Sequence, residues 1–407
     1  MVIRGARLLD HPEPVDVFVT DGLIDSIGGG RASGPQIDAG GGLLLPAFVE
    51  PHFHPDKALT HSRIGPVADL STSAYMSRNT AVKRGFTRAD IELRATAALD
   101  LAVAHGVGTM RAQVDVDTVC RLDGIHAMLA VRDRFAGLID LQLVAFPQEA
   151  VVRDPGVEDL LRRALDLGAD LLGGGPNNED TPDHHDEHVD RLFAIAREFD
   201  VDLDLHVDFT EDPSDRALEM VARKTIDNGY EGRVAAVHCC ALAAYTDPDA
   251  AATIDLVASA GIQICICPMG NLLIADTARS PAGRGASWPK DLLDAGVNVA
   301  AGSDNMSDMW FRFGRADPVD VAMVTCLAAA MRTDTEVRNA LDMVTVRAAR
   351  FVGSSDAGVS VGAPADLVLF SATTVDDVLR NLPGTRTTIK AGRVVGRAES
   401  RVWVDRT

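Results

Sequence analysis

The stretch Leu43-Leu44-Leu45-Pro46-Ala47-Phe48-Val49-Glu50-Pro51-His52-Phe53-His54-Pro55-Asp56-Lys57 decides the fold. Its apolar start, residues 43–49, reads as a buried strand, because a strand covered on both faces is apolar throughout. Its polar end reads as the junction between that strand and a loop. Side chains alternate with period two along a strand, so His52 and His54 project to the same side. Two imidazoles so placed can share one metal ion. Taken alone, they can equally be loop histidines that cap the strand.

Outward from this stretch the pattern is strand, loop, helix, repeated. Further strands are predicted over 109–114, 138–146, 170–174, 201–206, 233–238, 262–267 and 297–302, which makes eight with the first. Helical segments fall between them, near 88–105, 118–135, 157–167, 184–199, 213–229, 248–260 and 288–295. Thr87 is placed to cap the first of these helices, and Gly106 follows its end. Eight strands alternating with helices predict a (β/α)8 TIM-like barrel. Residues 1–45 read instead as short strands, with Asp21-Gly22 as a hairpin turn and no helix. After two helices near 318–332 and 335–352, strands return at 365–370, 387–395 and 402–404. The expected organisation is therefore an N-terminal part of a small β-sandwich (1–45), a barrel (46–353) and the C-terminal part of the sandwich (354–407).

Composition narrows the class. The 407 residues are 46% hydrophobic, enough for a large core. The net charge of −20 argues against nucleic acid or an anionic membrane surface as partner. The six cysteines form no Cys-x-x-Cys pair and read as buried thiols in a reducing compartment. No secretory signal and no membrane span are visible. The expectation is a cytoplasmic protein acting on a small molecule; a homo-oligomer is compatible with the sequence but not specified by it.

A barrel builds its active site at the C-terminal ends of its strands. There the sequence places His52 and His54 on the first strand, His206 on the fifth, His238 on the sixth and Asp304 after the eighth. Each alone has a structural explanation: a hydrogen-bonded core histidine, or a helix cap for Asp304. Together, on one face, they point to a divalent ion, since three imidazoles and a carboxylate suit zinc, iron or manganese. Such an ion makes hydroxide available near neutral pH, and a neighbouring carboxylate can take up the proton. His184, His185 and His188 fall at the start of a polar helix and read as a solvated face.

With these residues in hand, the chain resembles the amidohydrolase superfamily, and within it the branch of cytosine deaminase and N-isopropylammelide amidohydrolase. The segments 45–54, 141–149, 205–208, 237–238, 302–304 and 362–368 carry the resemblance, with Phe146-Pro147-Gln148-Glu149 the most specific of them. The resemblance implies one divalent metal per chain, zinc first and iron or manganese as alternatives, held by His52, His54, His206 and Asp304. It implies that His238 polarises the attacking water or the substrate and that Asp304 also accepts the proton. It implies that Gln148 hydrogen-bonds the ring amide of a substrate and that Trp310 lines the pocket. Two-metal relatives carry a carboxylated lysine at the end of strand 4, where this chain has Gly173-Gly174-Gly175-Pro176; one metal is therefore expected.

Two departures bear on substrate. Deaminases of this branch have His-x-x-Glu on strand 5, the glutamate shuttling protons; here the segment is His206-Val207-Asp208-Phe209. A phenylalanine cannot transfer a proton, which leaves Asp208, Glu179, Asp180 and Asp308 as acidic candidates, Asp208 the one placed beside the substrate. Asn305 stands where those deaminases have a second aspartate. Lys57 follows His54 by three residues, as in the triazine enzyme, and is a candidate to hold a carbonyl or anionic oxygen.

The sequence thus predicts a metal-dependent hydrolase that cleaves a C–N bond, in an amide or an N-substituted amino group, of a small nitrogen heterocycle. The alternatives are a cytosine-deaminase-like aminohydrolase with another proton shuttle, and a non-catalytic scaffold. Specificity is expected in the loops 60–85, 176–186 and 268–288.

Overall fold

A computed structural model describes residues 1–31, 34–65, 72–274, 287–354, 357–381 and 384–406. Eight strands form its centre: β1 Phe48–Phe53, β2 Val107–Asp115, β3 Asp140–Phe146, β4 Leu171–Gly174, β5 Leu203–Val207, β6 Val234–His238, β7 Gln263–Ile266 and β8 Val299–Ala301. They stand side by side in chain order, and every neighbouring pair is parallel. The ring closes where Phe53 pairs with Asp304. Gly302 permits that approach: a Cβ there would lie 3.1 Å from both Cβ and O of His52. Helices lie between successive strands, as a (β/α)8 barrel requires. Thr87 does cap the helix Arg88–Ala104, accepting from the N–H of Asp90.

The apolar run that opens the reading is not one strand. Leu44–Pro46 pairs antiparallel with Leu367–Phe370, and only Phe48–Phe53 enters the barrel. The break falls at Pro46-Ala47, because proline has no N–H to continue a ladder. Periodicity alone cannot see this, since both halves are buried. The segment 335–352 is likewise two helices, Asp334–Asp342 and Val346–Phe351. Residues 402–404, expected as a strand, are exposed and unpaired in any ladder. The helices Thr72–Lys83 and Pro268–Ile274 lie where only loops were expected.

The chain ends build two four-stranded sheets. Val2–Ala6, Val15–Thr20, Leu23–Ile27 and Gln36–Asp38 form one; Leu44–Pro46 joins Leu367–Phe370, Gly384–Lys390 and Arg393–Ser400 in the other. Asp21 and Gly22 turn the first hairpin with φ of 50° and 80°, the left-handed pair that a tight two-residue loop needs. Ile3, Val17, Ile24, Leu44, Leu367 and Ile389 share one apolar core between the sheets. Val346–Phe351 lies at the barrel's base, where Ala348 and Phe351 pack on Val49, Val237 and Ala300. Among the described residues no helix is long and apolar enough to cross a membrane.

Candidate active site

The barrel ends bring the five expected side chains together. His52 is the penultimate residue of β1 and His54 follows its end; Nε2 of each faces Oδ1 of Asp304, at 3.6 and 3.4 Å. His206, on β5, brings Nε2 to 3.2 Å from Nε2 of His54. The His206 ring stacks on Phe146, with centroids 4.1 Å apart. His238 closes β6 with φ of 73°, and its Nδ1 lies 3.0 Å from Oδ1 of Asn271. Asp304 also takes a left-handed backbone, φ 64°. Two non-glycine residues in that region beside one cluster mark a backbone held by its surroundings.

These residues fit a cation. His52 Nε2, His54 Nδ1 and His206 Nδ1 are buried and have no hydrogen-bond partner among the described residues. His52, His206 and His238 form one group whose ligand atoms all lie within 4.8 Å of one another; His52, His54 and Asp304 form a second, and His238, Cys267 and Asp304 a third. Burial, with the charges of Lys57 and the other imidazoles, holds His54 well below the ordinary histidine range. Burial and the neighbouring imidazoles do the same to His206. Neutral rings with free lone pairs are what a divalent ion needs. Burial alone would raise Asp304, but a hydrogen bond with His52 and the charges of His238, His52 and Lys57 outweigh it and hold the carboxyl below its ordinary range.

A cavity opens over the cluster, lined by His54, His206, His238 and Asp304 and walled by Lys57, Gln148, Phe209 and Trp310, among others. Lys57 is fully buried and donates to Asp115 Oδ1 at 3.0 Å and Gln148 Oε1 at 2.6 Å. Burial would lower its pKa, but the carboxylates of Asp115 and Asp56 hold it above the usual lysine value. Asn305 also lines the cavity and gives Nδ2 to Asp308 Oδ2 at 2.8 Å.

Asp208 does not reach this wall. Its oxygens accept from Asn177 Nδ2 and from the N–H groups of Ala217 and Leu218, at 3.2, 3.1 and 2.9 Å. It therefore caps the helix Ala217–Asp227, and the placement beside a substrate is corrected. Glu179 is committed too: it accepts from the N–H groups of Val151, Val152 and Arg153 and pairs with His188 at 2.7 Å. Asp180 pairs with Arg153 at the surface, and Asp308 accepts from the N–H groups of Trp310 and Phe311. His184 and His185 are partly exposed, but His188 is buried, which departs from the solvated face expected for all three. Its Nε2 accepts from the N–H of Gly175, tying the helix to the end of β4.

Several partners were not read from the sequence. Glu50, two residues before His52 and on the same side, accepts from the N–H and hydroxyl of Ser303 and so clamps the turn that carries Asp304. Burial pushes its carboxyl up to about 7. Beneath the histidines, Gln113 Nε2 reaches His52 Nδ1 at 3.2 Å and Asp204 Oδ1 at 3.0 Å, and Arg111 donates to Asp204 Oδ2 at 2.9 Å. Lys83, at the end of Thr72–Lys83, pairs with Asp115, Asp117 and Glu149. Period two on β2 puts Arg111, Gln113 and Asp115 on one face; that was the available signal. Met76 and Asn178 line the cavity from the first two of the loops named for specificity. Parts of those loops, 66–71 and 275–286, lie outside the described residues.

The strand ends of the eight-stranded barrel gather histidines and an aspartate beneath a cavity, a buried cluster able to take up a metal ion. The chain belongs to the amidohydrolase family, whose model matches residues 64–396. It is 34% identical over 395 residues to a pterin deaminase of Rhizobium rhizogenes, covering 94% of this chain and 88% of that protein. It is 29% identical over 410 residues to an N-isopropylammelide isopropyl amidohydrolase of Pseudomonas sp., covering 98% of each. Its structure superposes with a TM-score of 0.92 and 30% identity on 5-methylcytosine deaminase of Klebsiella pneumoniae liganded with phosphonocytosine, over 100% of both chains. These relatives are C–N hydrolases, and the chain is an enzyme of that class rather than a scaffold.

Proposed function

We propose that this enzyme hydrolyses a C–N bond of a small nitrogen heterocycle at a single-metal centre held by His52, His54, His206 and Asp304. The observation that carries the reading is the convergence of His52 Nε2 and His54 Nε2 on Asp304 Oδ1, with His206 Nε2 beside His54 Nε2, at the floor of the cavity. Zinc suits the donor set first, with iron or manganese as alternatives. When bound, the ion supplies an activated water and polarises the electrophilic carbon.

The chain's own groups do the rest. Asp304 Oδ1 sits within 3.6 Å of two ring nitrogens and is the group placed to accept the water's proton and return it to the leaving nitrogen. His238, oriented by Asn271, faces the same point and steadies developing negative charge on the attacked carbon's substituent. Lys57, Gln148 and Trp310 bind and orient the ring. The names of the relatives support heterocycles as the substrate class: a pterin, 5-methylcytosine and N-isopropylammelide.

Cleavage of an N-substituted amine or an amide is favoured over release of ammonia. Phe209 lines the cavity, and Asp208 and Glu179, candidates to replace a shuttle, have their oxygens engaged elsewhere. Deamination with Asp304 as the sole relay is the second reading, favoured by two deaminases among the relatives.

Metal analysis of the wild type, His206→Ala and Asp304→Asn, with a screen of pterins, pyrimidines and N-alkylamino heterocycles for released amine or ammonia, tests this. Near one equivalent of metal, lost in both variants, and amine release by the wild type alone are expected. A wild type without metal, and without activity after zinc, iron or manganese is added, overturns it.

A further inference from the structure

Lys57 and Gln148 meet on one wall of the cavity, with Lys57 Nζ 2.6 Å from Gln148 Oε1 and 3.0 Å from Asp115 Oδ1. An ammonium has three N–H groups and no lone pair. The Gln148 atom that faces it is therefore oxygen, so chemistry fixes which way the amide points. Nε2 is left as the donor end, and among the described residues its one hydrogen-bond partner is the weak acceptor Met76 Sδ at 4.0 Å. Asp115 cannot turn to the cavity, because Lys83 holds its other oxygen at 3.2 Å. The backbone carbonyl of Gln148 is taken by Asn178 Nδ2 at 3.2 Å. The third N–H of Lys57 and the remaining N–H of Gln148 thus stand side by side as donors, and among the described residues neither has an acceptor facing it.

We propose that this wall selects heterocycles whose facing edge carries acceptors only: a carbonyl oxygen beside an unprotonated ring nitrogen, or a deprotonated lactam or imide. A neutral lactam N–H at that edge meets another donor, and both are left unpaired in a buried site. The inference deepens the reading of the cavity as a heterocycle site and rests on it. It also sharpens the role expected for Gln148, which donates to the ring and accepts from Lys57.

The test compares two rings of one shape. Uracil keeps its imide proton at pH 8.5, roughly two units above neutral histidine's range, whereas 6-azauracil has lost it. Calorimetric titration of the metal-loaded enzyme is expected to show 6-azauracil binding about tenfold or more tighter than uracil, the penalty of one unpaired donor. Gln148→Glu exchanges the free N–H for an acceptor oxygen and is expected to erase that ratio; Gln148→Leu, which removes the donor, lowers it. Both variants are checked for an unchanged thermal transition. Equal affinities, no measurable binding of either ring, or a ratio that both variants leave intact overturns the proposal. Amine release from heterocycles by an enzyme with equal affinities leaves the C–N hydrolase reading standing and sinks the edge selectivity. An intact ratio with no amine release does the reverse.

Discussion

The backbone of Asp304 is bonded to both histidines of the first strand: its N–H donates to His52 O and its carbonyl accepts from His54 N, each at 2.9 Å. The seam that closes the barrel and the candidate metal centre are therefore the same residues. The left-handed φ of 64° at Asp304 is what turns its carboxylate back onto the rings. Asn tolerates that conformation better than other non-glycine residues. Asp304→Asn is expected to keep the thermal transition of the metal-free protein within a few degrees while metal content and activity fall, activity by about 100-fold or more. Asp304→Ala should in addition lower the metal-free stability by about 1–2 kcal/mol, the cost of a left-handed L-residue. Scanning calorimetry and metal analysis of both variants check this.

Lys83 is fully buried and faces Asp115, Asp117 and Glu149. Lys83→Met leaves those carboxylates without their shared cation and should destabilise the protein by about 3–5 kcal/mol in chemical denaturation. Lys83→Arg should recover part of the loss. An unchanged denaturation midpoint for the methionine variant would show that the network is not maintained in solution.

Glu179 and His188 give a pH prediction. Burial opposes ionisation of Glu179, but His188 and the N–H groups of Val151 and Val152 outweigh it and lower its carboxyl from 4.5 to about 2. A folded-state pKa below the unfolded value means that the unfolded chain binds more protons in that interval. The stabilisation is thus fully present above about pH 4.5 and is lost as pH falls toward 2. Denaturant titrations at pH 7 and pH 3 should show a smaller acid loss in Glu179→Gln than in the wild type; an equal loss counts against the assignment.

Phe209 lines the cavity where the resemblance leads one to expect a carboxylate. If a missing shuttle is what disfavours ammonia as leaving group, Phe209→Glu should raise deamination of an unsubstituted amino-heterocycle by about 10-fold or more, the low end of a proton-transfer contribution. Ammonia release measured side by side with the wild type decides this. No gain in a folded, metal-replete variant would place the proton relay elsewhere.

His52, His54, His206, His238 and Asp304 were legible because each stands at the end of an apolar strand, and a barrel puts all such ends on one face. The apolar run through Pro46 was misread because burial on both sides hides the boundary between two sheets. Asp208 was misplaced because chain proximity to His206 says nothing of direction; with φ of 49° its carboxylate turns to a helix N-terminus instead.

By itself, then, the sequence determined the alternation of strands and helices and the identity of the clustered imidazoles, while the absence of a strand-5 glutamate was visible only through the resemblance. The first two follow from local periodicity and from residue type. Only the tertiary structure decided that Lys57 fixes Gln148, that Lys83 holds Asp115, and that Gln113 and Asp204 stand beneath His52. Those pairs join different strands and loops, up to 91 positions apart in the chain. Hydrogen bonds and ion pairs depend on distances of a few tenths of an ångström across the barrel, and no one-dimensional pattern encodes them.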